Sequence, residues 1–329
     1  MNPNLNRAHL RHGGIMANYY CTAACRHCLY ACSPSRTGGY ISRETAREVC
    51  KLLISGGSAS VHIGGGEPFY DFDGLLGLVE TIAEFGISLE YIETNAYWAT
   101  DEAKIEQYLR ELIHVGADTL CISLDPFHAE YVPAQRPLLL AQVCSRMGMG
   151  YFLWQQKFLS TLSQLDTSVI HTRKQLEQTL SPSYIIDTAA SYGMRFGGRA
   201  LNIELEYLPR KPLSEILSSS PCRRLLLGDH FHVDLNADYI PPGCTGIKIP
   251  LSDAVNGFPT GKYPVIDALL HSGIAGLYSY ATPLGFTPNP EGYTSRCAMC
   301  ISMRHWLAAN VPHTELDLEH YEASFTYYS

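Results

Sequence analysis

The sequence predicts an α/β fold, a partial (β/α)6 TIM-like barrel over residues 14–208, followed by a small Cys-rich domain over residues 209–329. Three observations predict it. Apolar runs of strand length alternate four times with turn-rich loops and amphipathic helices, the pattern of a parallel sheet with helices outside. The chemically unusual residues stand directly after those runs, and in a parallel barrel the strand ends share one rim. Beyond residue 209 helical periodicity gives way to Gly, Pro and Cys. A chain of 329 residues also exceeds what one core usually serves, so two domains are expected.

Gly14 to Tyr20 reads as the first strand, and Cys21, Cys25 and Cys28 follow it in a loop. After the turn-rich stretch 33–40, Ser42 can cap a helix with Ala46, Val49 and Leu53 on one face. Ala59 to Ile63 makes the second strand and ends in Gly64-Gly65-Gly66-Glu67-Pro68; a helix from Asp71 carries Leu75, Leu78, Val79 and Ile82. Leu89 to Thr94 is the third strand and delivers Asn95, before a helix capped by Thr100 with Ile105, Leu109, Leu112 and Ile113 at helical spacing and Gly116 as its stop. Thr119 to Leu124 is the fourth strand, ending at Asp125-Pro126. Pro137 opens a further helix, Tyr151 to Trp154 is the fifth strand, and residues 155–180 show no clean period. Ser181-Pro182 starts the next helix, Gly193 stops it, and a sixth strand is expected to begin at Met194 to Phe196. Six strand-helix units suit an incomplete barrel better than a closed eight-fold one. Pro209, Pro212 and the run from Ser218 to Pro221 mark the linker.

The net charge of -8 argues against a nucleic-acid backbone or an anionic membrane as the main partner. The first thirteen residues lack an apolar h-region, and the most apolar stretch, Leu75 to Leu89, is broken by Glu80 and Glu84, so a cytoplasmic protein without a membrane span is expected. Eleven cysteines in such a chain point to metal ligation rather than disulfides.

Thiolates are the ligands of iron–sulfur clusters, and three cysteines spaced CxxxCxxC leave one iron of a cube open for a small molecule. Gly65 and Gly66 let the backbone approach such a ligand closely. His27 can lie against a flat base; Asn95, Ser123 and Asp125 supply donors and acceptors for ribose and amino-acid groups. On residue type alone, the three thiols could instead hold zinc or be buried, the glycine run could be an ordinary turn, and Asn95 and Asp125 could cap helices. Cys50, Cys121 and Cys144 read as buried small apolar residues. His128, Arg199, Glu204 and Glu206 could reach substrate near the rim or serve as surface and capping groups.

The combination of Cys21, Cys25 and Cys28 with Gly65-Gly66-Glu67-Pro68 resembles the signatures of the radical S-adenosylmethionine (radical SAM) enzymes, over roughly residues 14–200 by the strand-helix count. The resemblance implies a [4Fe-4S] cluster on the three cysteines, S-adenosylmethionine on its open iron, and a GGEP-like motif at the methionine amino group. Asn95 resembles the element after the third strand of that family, and Ser123-Leu124-Asp125 the element near the ribose. Reductive cleavage of S-adenosylmethionine to a 5'-deoxyadenosyl radical and removal of a substrate hydrogen atom are the implied chemistry, with a low-potential donor such as flavodoxin or ferredoxin as electron source.

In the tail, Cys222, Cys244, Cys297 and Cys300 can ligate a second cluster or a zinc ion, and spacing does not distinguish them. The segment from Cys222 to Cys244 with the later CAMC resembles the twitch domain, the shortened SPASM extension, which implies one auxiliary [4Fe-4S] cluster; Ala237 stands where a glycine is common. The expected substrate is a peptide, oxidised, cross-linked or epimerised, because twitch and SPASM architectures often serve peptides. Cys32-Ser33-Pro34 resembles a feature of some peptide epimerases, which makes Cys32 either a hydrogen-atom donor or a packed thiol beside the loop. The roughly twenty residues before the triad are too few for a separate leader-binding domain. The alternatives are a small-molecule dehydrogenase of a carbohydrate-like alcohol and a non-enzymatic iron–sulfur or zinc protein.

Overall fold

A computed structural model describes residues 10–37, 39–218, 224–226 and 229–325. Its centre is one open sheet in the order β5-β4-β3-β2-β1-β6-β7-β8. The strands are β1 (His12–Met16), β2 (Ser60–Gly64), β3 (Ser88–Thr94), β4 (Thr119–Ser123), β5 (Gly150–Trp154), β6 (Asp229–Val233), β7 (Asp238–Ile240) and β8 (Ile249–Pro250). The first five are parallel neighbours in chain order. β6 pairs parallel on the other side of β1, and β7 and β8 follow it antiparallel. An open, mostly parallel sheet with helices outside is the architecture of a partial barrel.

The helices that return the chain are α1 (Arg43–Ser55), α2 (Phe72–Glu84), α3 (Glu102–His114), the short α4 (Pro126–Ala129) and α5 (Gln135–Met147). Ser42 caps α1 by accepting from the Thr45 N–H at 3.0 Å, and Ala46, Val49 and Leu53 are buried as their spacing requires. The same holds for Leu75, Leu78, Val79 and Ile82 on α2, each contributing roughly 1.5–3 kcal/mol by leaving water. On α3 the cap is Asp101 rather than Thr100, because the Asp101 carboxylate accepts from the Lys104 N–H at 2.9 Å. Ile105, Leu109 and Leu112 face the core, but Ile113 is 44% exposed.

After β5 the chain forms a 3-10 stretch (Gln156–Gln164), then α6 (Arg173–Thr179), α7 (Tyr184–Ser191), α8 (Ala200–Tyr207) and α9 (Leu213–Leu217). The expected sixth strand at Met194 to Phe196 is absent: that segment is an irregular link between α7 and α8. β5 is left as an edge, and the next strand, β6, pairs instead with β1, more than 200 residues away in sequence. The remaining helices, α10 (Leu251–Asn256), α11 (Pro264–Ala281), α12 (Arg296–Asn310) and α13 (Leu318–Phe325), follow β8. Their buried residues Val265, Leu277, Met303 and Tyr321 share one apolar core with Ile15, Val49 and Leu78. Among the described residues no helix is long and apolar enough to cross a membrane.

Candidate functional site

The concave face of the sheet and the loops at its C-terminal rim enclose a cavity of about 430 Å³. Cys21, Cys25, Cys28, Cys32, His27, Gly65, Gly66, Asn95, Ser123 and His128 all line it, and so do the strand residues Tyr91, Glu93, Cys121, Phe152 and Trp154. The residues expected to hold the first cluster and its nucleoside ligand therefore converge on one space, except Glu67 and Asp125.

The cysteine loop is held by backbone and by one arginine. It closes through the Cys21 N–H to the Ser33 carbonyl (3.2 Å) and the Cys28 N–H to the Cys25 carbonyl (3.1 Å). Arg199 is fully buried; its guanidinium donates to the carbonyls of Cys25 at 3.0 Å and Cys32 at 2.6 Å, and its backbone N–H to that of Cys28 at 3.0 Å. It is a clamp on the loop. Glu206 is instead a surface partner of Arg173 at 2.7 Å, and Glu204 is buried in α8.

Two sulfurs already accept hydrogen bonds. Cys21 Sγ accepts from the Ala23 N–H at 3.4 Å and Asn95 Nδ2 at 3.5 Å, and Cys28 Sγ from the Cys32 N–H at 3.4 Å. The Cys32 thiol and then, against burial, Arg199 hold the Cys28 thiol well below its usual range. Burial pushes Cys21 and Cys25 up, an effect that His128 opposes at Cys25. Cys25, His27 and His128 bring their ligand atoms within 4.8 Å of one another. The His27 ring stands 5.0 Å from Phe127, and its buried Nδ1 has no hydrogen-bond partner among the described residues.

The glycines after β2 are explained by crossing chains. A Cβ at Gly66 would collide with the Tyr20 carbonyl, and one at Gly65, whose φ is 133°, would lie 2.7 Å from the Asn18 carbonyl. The Gly66 and Glu67 N–H groups donate to the Asn18 and Tyr20 carbonyls, both at 2.8 Å. Glu67 is wholly buried and accepts from the Phe69 N–H, the Thr94 hydroxyl and the Asn95 N–H at 3.1, 2.9 and 2.7 Å. Its carboxyl, lifted by burial to about 7, brackets the second loop to the third rather than facing the cavity. Asp125 caps α4, accepting from the Phe127 and His128 N–H groups at 2.8 and 3.0 Å and pairing with His128 Nδ1 at 2.7 Å. Against burial, Asp125 keeps the His128 imidazole well above its ordinary range. Asn95 caps no helix; its Oδ1 accepts from the Tyr97 N–H at 2.9 Å.

A second, smaller cavity of about 40 Å³ gathers Cys244, Cys297 and Cys300 with Arg224, Arg296 and Arg304. Cys297 and Cys300 are one turn apart at the start of α12. Gly243 lines both cavities. Cys222 lies outside the described residues. Ala237 takes a left-handed φ of 61° in the turn between β6 and β7, a conformation that favours glycine.

Sequence reasoning missed Tyr91, Glu93, Phe152 and Trp154 as cavity residues. Their signal was present as period-two alternation along β3 and β5, whose alternate side chains share one face.

Residues 17–148 match the family model of the Radical SAM superfamily. A curated relative is the "Putative peptide biosynthesis protein YydG" of Bacillus subtilis (strain 168), 29% identical over 113 residues, which cover 34% of this chain and 35% of the relative. The match thus spans about a third of that protein's length. Among solved structures, Streptococcus suis SuiB bound to the precursor peptide SuiA gives a TM-score of 0.46 at 16% identity, covering 90% of this chain and 77% of that one. Native anSMEcpe with bound AdoMet gives 0.41 at 13% identity, covering 96% of each.

Proposed function

We propose that this chain, whose residues 17–148 match the Radical SAM family model, is an enzyme that holds a [4Fe-4S] cluster on Cys21, Cys25 and Cys28 and abstracts a hydrogen atom from a peptide. The observation that carries this reading is that the three thiols, the Gly65-Gly66 backbone, Asn95 and Ser123 line one cavity, large enough for a nucleoside ligand beside a substrate. When bound, the reduced cluster supplies the electron that cleaves S-adenosylmethionine to methionine and a 5'-deoxyadenosyl radical.

The protein's part is to hold and to exclude. The N–H donors on Cys21 and Cys28 sulfurs stabilise thiolate charge. His27, whose Nδ1 has no hydrogen-bond partner among the described residues, and Ser123 are assigned to the nucleoside; Glu67 and Asp125 act one step back, by fixing the loops that carry Asn95 and His128. Cys32, buried on the cavity wall, is assigned as a hydrogen-atom donor to the substrate radical. An auxiliary [4Fe-4S] cluster is assigned to Cys244, Cys297 and Cys300, with Cys222 as fourth ligand; three arginines around that cavity offset thiolate charge. A flavodoxin or ferredoxin is the assigned electron donor.

Two features support a peptide. The curated relative YydG carries the name of a putative peptide biosynthesis protein. β5 is an edge of the sheet, and its exposed Phe152 and Trp154 line the cavity; an edge strand beside a pocket suits an extended chain added by main-chain hydrogen bonds. The test is anaerobic reconstitution, reduction and addition of S-adenosylmethionine, with 5'-deoxyadenosine as readout. Formation by wild type and none by Cys25→Ala is expected; equal yields from both would overturn the reading. A free oxidised alcohol instead of a modified peptide would replace the substrate class alone.

A further inference from the structure

Three histidines stand together on the concave face of the sheet, apart from the cysteine loop. Gly14 in β1 is in register with His62 on one side and His232 on the other, so in this parallel sheet the two imidazoles rise from one row with a glycine between them. Their Nε2 atoms are 3.1 Å apart, close to the separation of about 3.3 Å that two nitrogens have when each is ~2.0–2.1 Å from a shared tetrahedral ion. The third, His230, sits at a bulge in β6 with a φ of 64°. The bulge brings its ring against His62, stacked at 5.2 Å, and edge-on to His232 at 5.1 Å. One ligand nitrogen from each of the three lies within 4.8 Å of the others.

We propose that His62, His230 and His232 form a binding site for one divalent transition-metal ion, zinc being the ordinary match to three imidazoles, with its fourth coordination position open to the cavity. Three protein ligands and an open position is the arrangement in which zinc takes a water or a substrate oxygen. Two further observations fit it. A Cβ at Gly14 would collide with His62 Nε2 and lie 2.7 Å from His232 Nε2, so the glycine keeps clear the space on which both nitrogens converge. Tyr30 shares a 2.7 Å hydrogen bond with His232 Nδ1, the outer contact that fixes the tautomer and aims the other nitrogen at a metal.

His230 and His232 line the same cavity as Cys21, Cys25 and Cys28. The ion would therefore anchor a carboxylate or carbonyl oxygen of whatever molecule enters, whether or not radical chemistry follows. The site does not depend on the proposed reaction, and its test does not use turnover.

The test is zinc binding to the full chain with its clusters already reconstituted, read as zinc and iron content after gel filtration and as zinc-edge X-ray absorption. One equivalent of zinc is expected, with a nitrogen and oxygen shell at about 2.0–2.1 Å and no sulfur near 2.3 Å. His230→Ala, at an exposed position, should weaken binding by at least about tenfold and leave iron content unchanged, and Tyr30→Phe should weaken it by roughly tenfold. A sulfur shell, no stoichiometric zinc, or an affinity unmoved in His230→Ala would each overturn the proposal.

Discussion

Cys21, Cys25 and Cys28 ride a loop after β1, clamped by Arg199, whereas Cys297 and Cys300 ride the first turn of α12 and Cys244 the turn after β7. The first set faces about 430 Å³, the second about 40 Å³. A metal centre that does chemistry keeps a position open, while one that stores electrons or holds structure is closed by protein ligands. On the proposed reading the volumes match the two roles without reference to spacing: there is room for a nucleoside cofactor beside the loop thiols and far less beside the tail thiols.

The sharpest way to break that contrast is to remove one ligand from each set. Cys25→Ala should lower 5'-deoxyadenosine formation by at least about a thousandfold, or roughly 4 kcal/mol of barrier, because the open iron is lost with the cluster. Cys300→Ala should remove about half of the iron bound, since each cluster of this type carries the same complement, while cleavage of S-adenosylmethionine in the absence of substrate persists. Iron analysis and a chromatographic assay on both variants decide it. If Cys300→Ala abolished cleavage as fully as Cys25→Ala, the two sites would not have separate roles.

The loop set is also more exposed to backbone changes. Gly66→Ala places a methyl against the Tyr20 carbonyl, and the chains must part; a stability loss of about 3 kcal/mol or more is expected. Arg199→Met strips the charge-assisted bonds from Cys25 and Cys32 carbonyls. Hydrogen bonds to charged groups contribute roughly 1.5–3 kcal/mol each, so a Tm several degrees lower and depleted loop iron should appear, with tail iron retained. Thermal melts and iron counts on the two variants check both, and equal loss from both clusters would show that Arg199 supports the whole fold rather than the loop.

How much of this was legible depended on the range of the contacts. α1, α2 and α3 follow from local spacing, and the buried faces at Val49, Val79 and Leu109 are those the periodicity required. The rim residues were legible because each stands at the end of its own strand. β6 was not, although the buried Phe231 and Val233 alternate with His230 and His232 as in a half-buried strand, because the run is short and its partner β1 is remote in sequence. The roles of Glu67 and Arg199 were equally hidden. A residue type shows what a side chain can bond to, but which carbonyls and N–H groups it meets is set by loops brought together only in the fold.

The smallest expected effect concerns Asn95, which touches both the loop and the cavity. Its Nδ2 donates to Cys21 Sγ at 3.5 Å and to the Thr22 hydroxyl at 3.2 Å. Asn95→Ala removes one weak N–H···S contact and two neutral bonds, to the Thr22 hydroxyl and from the Tyr97 N–H, about 2 kcal/mol of stability. The loop should still load iron, because the other contacts on Cys21 and Cys28 sulfurs come from backbone N–H groups that the substitution leaves in place. A sulfur that has lost a donor carries more negative charge and makes reduction harder, so the reduction potential of the loop cluster should fall while that of the tail cluster stays fixed. Parallel redox titrations followed by electron paramagnetic resonance separate the two centres. A shift at the tail, or none at the loop, would mean that Asn95 does not act through Cys21.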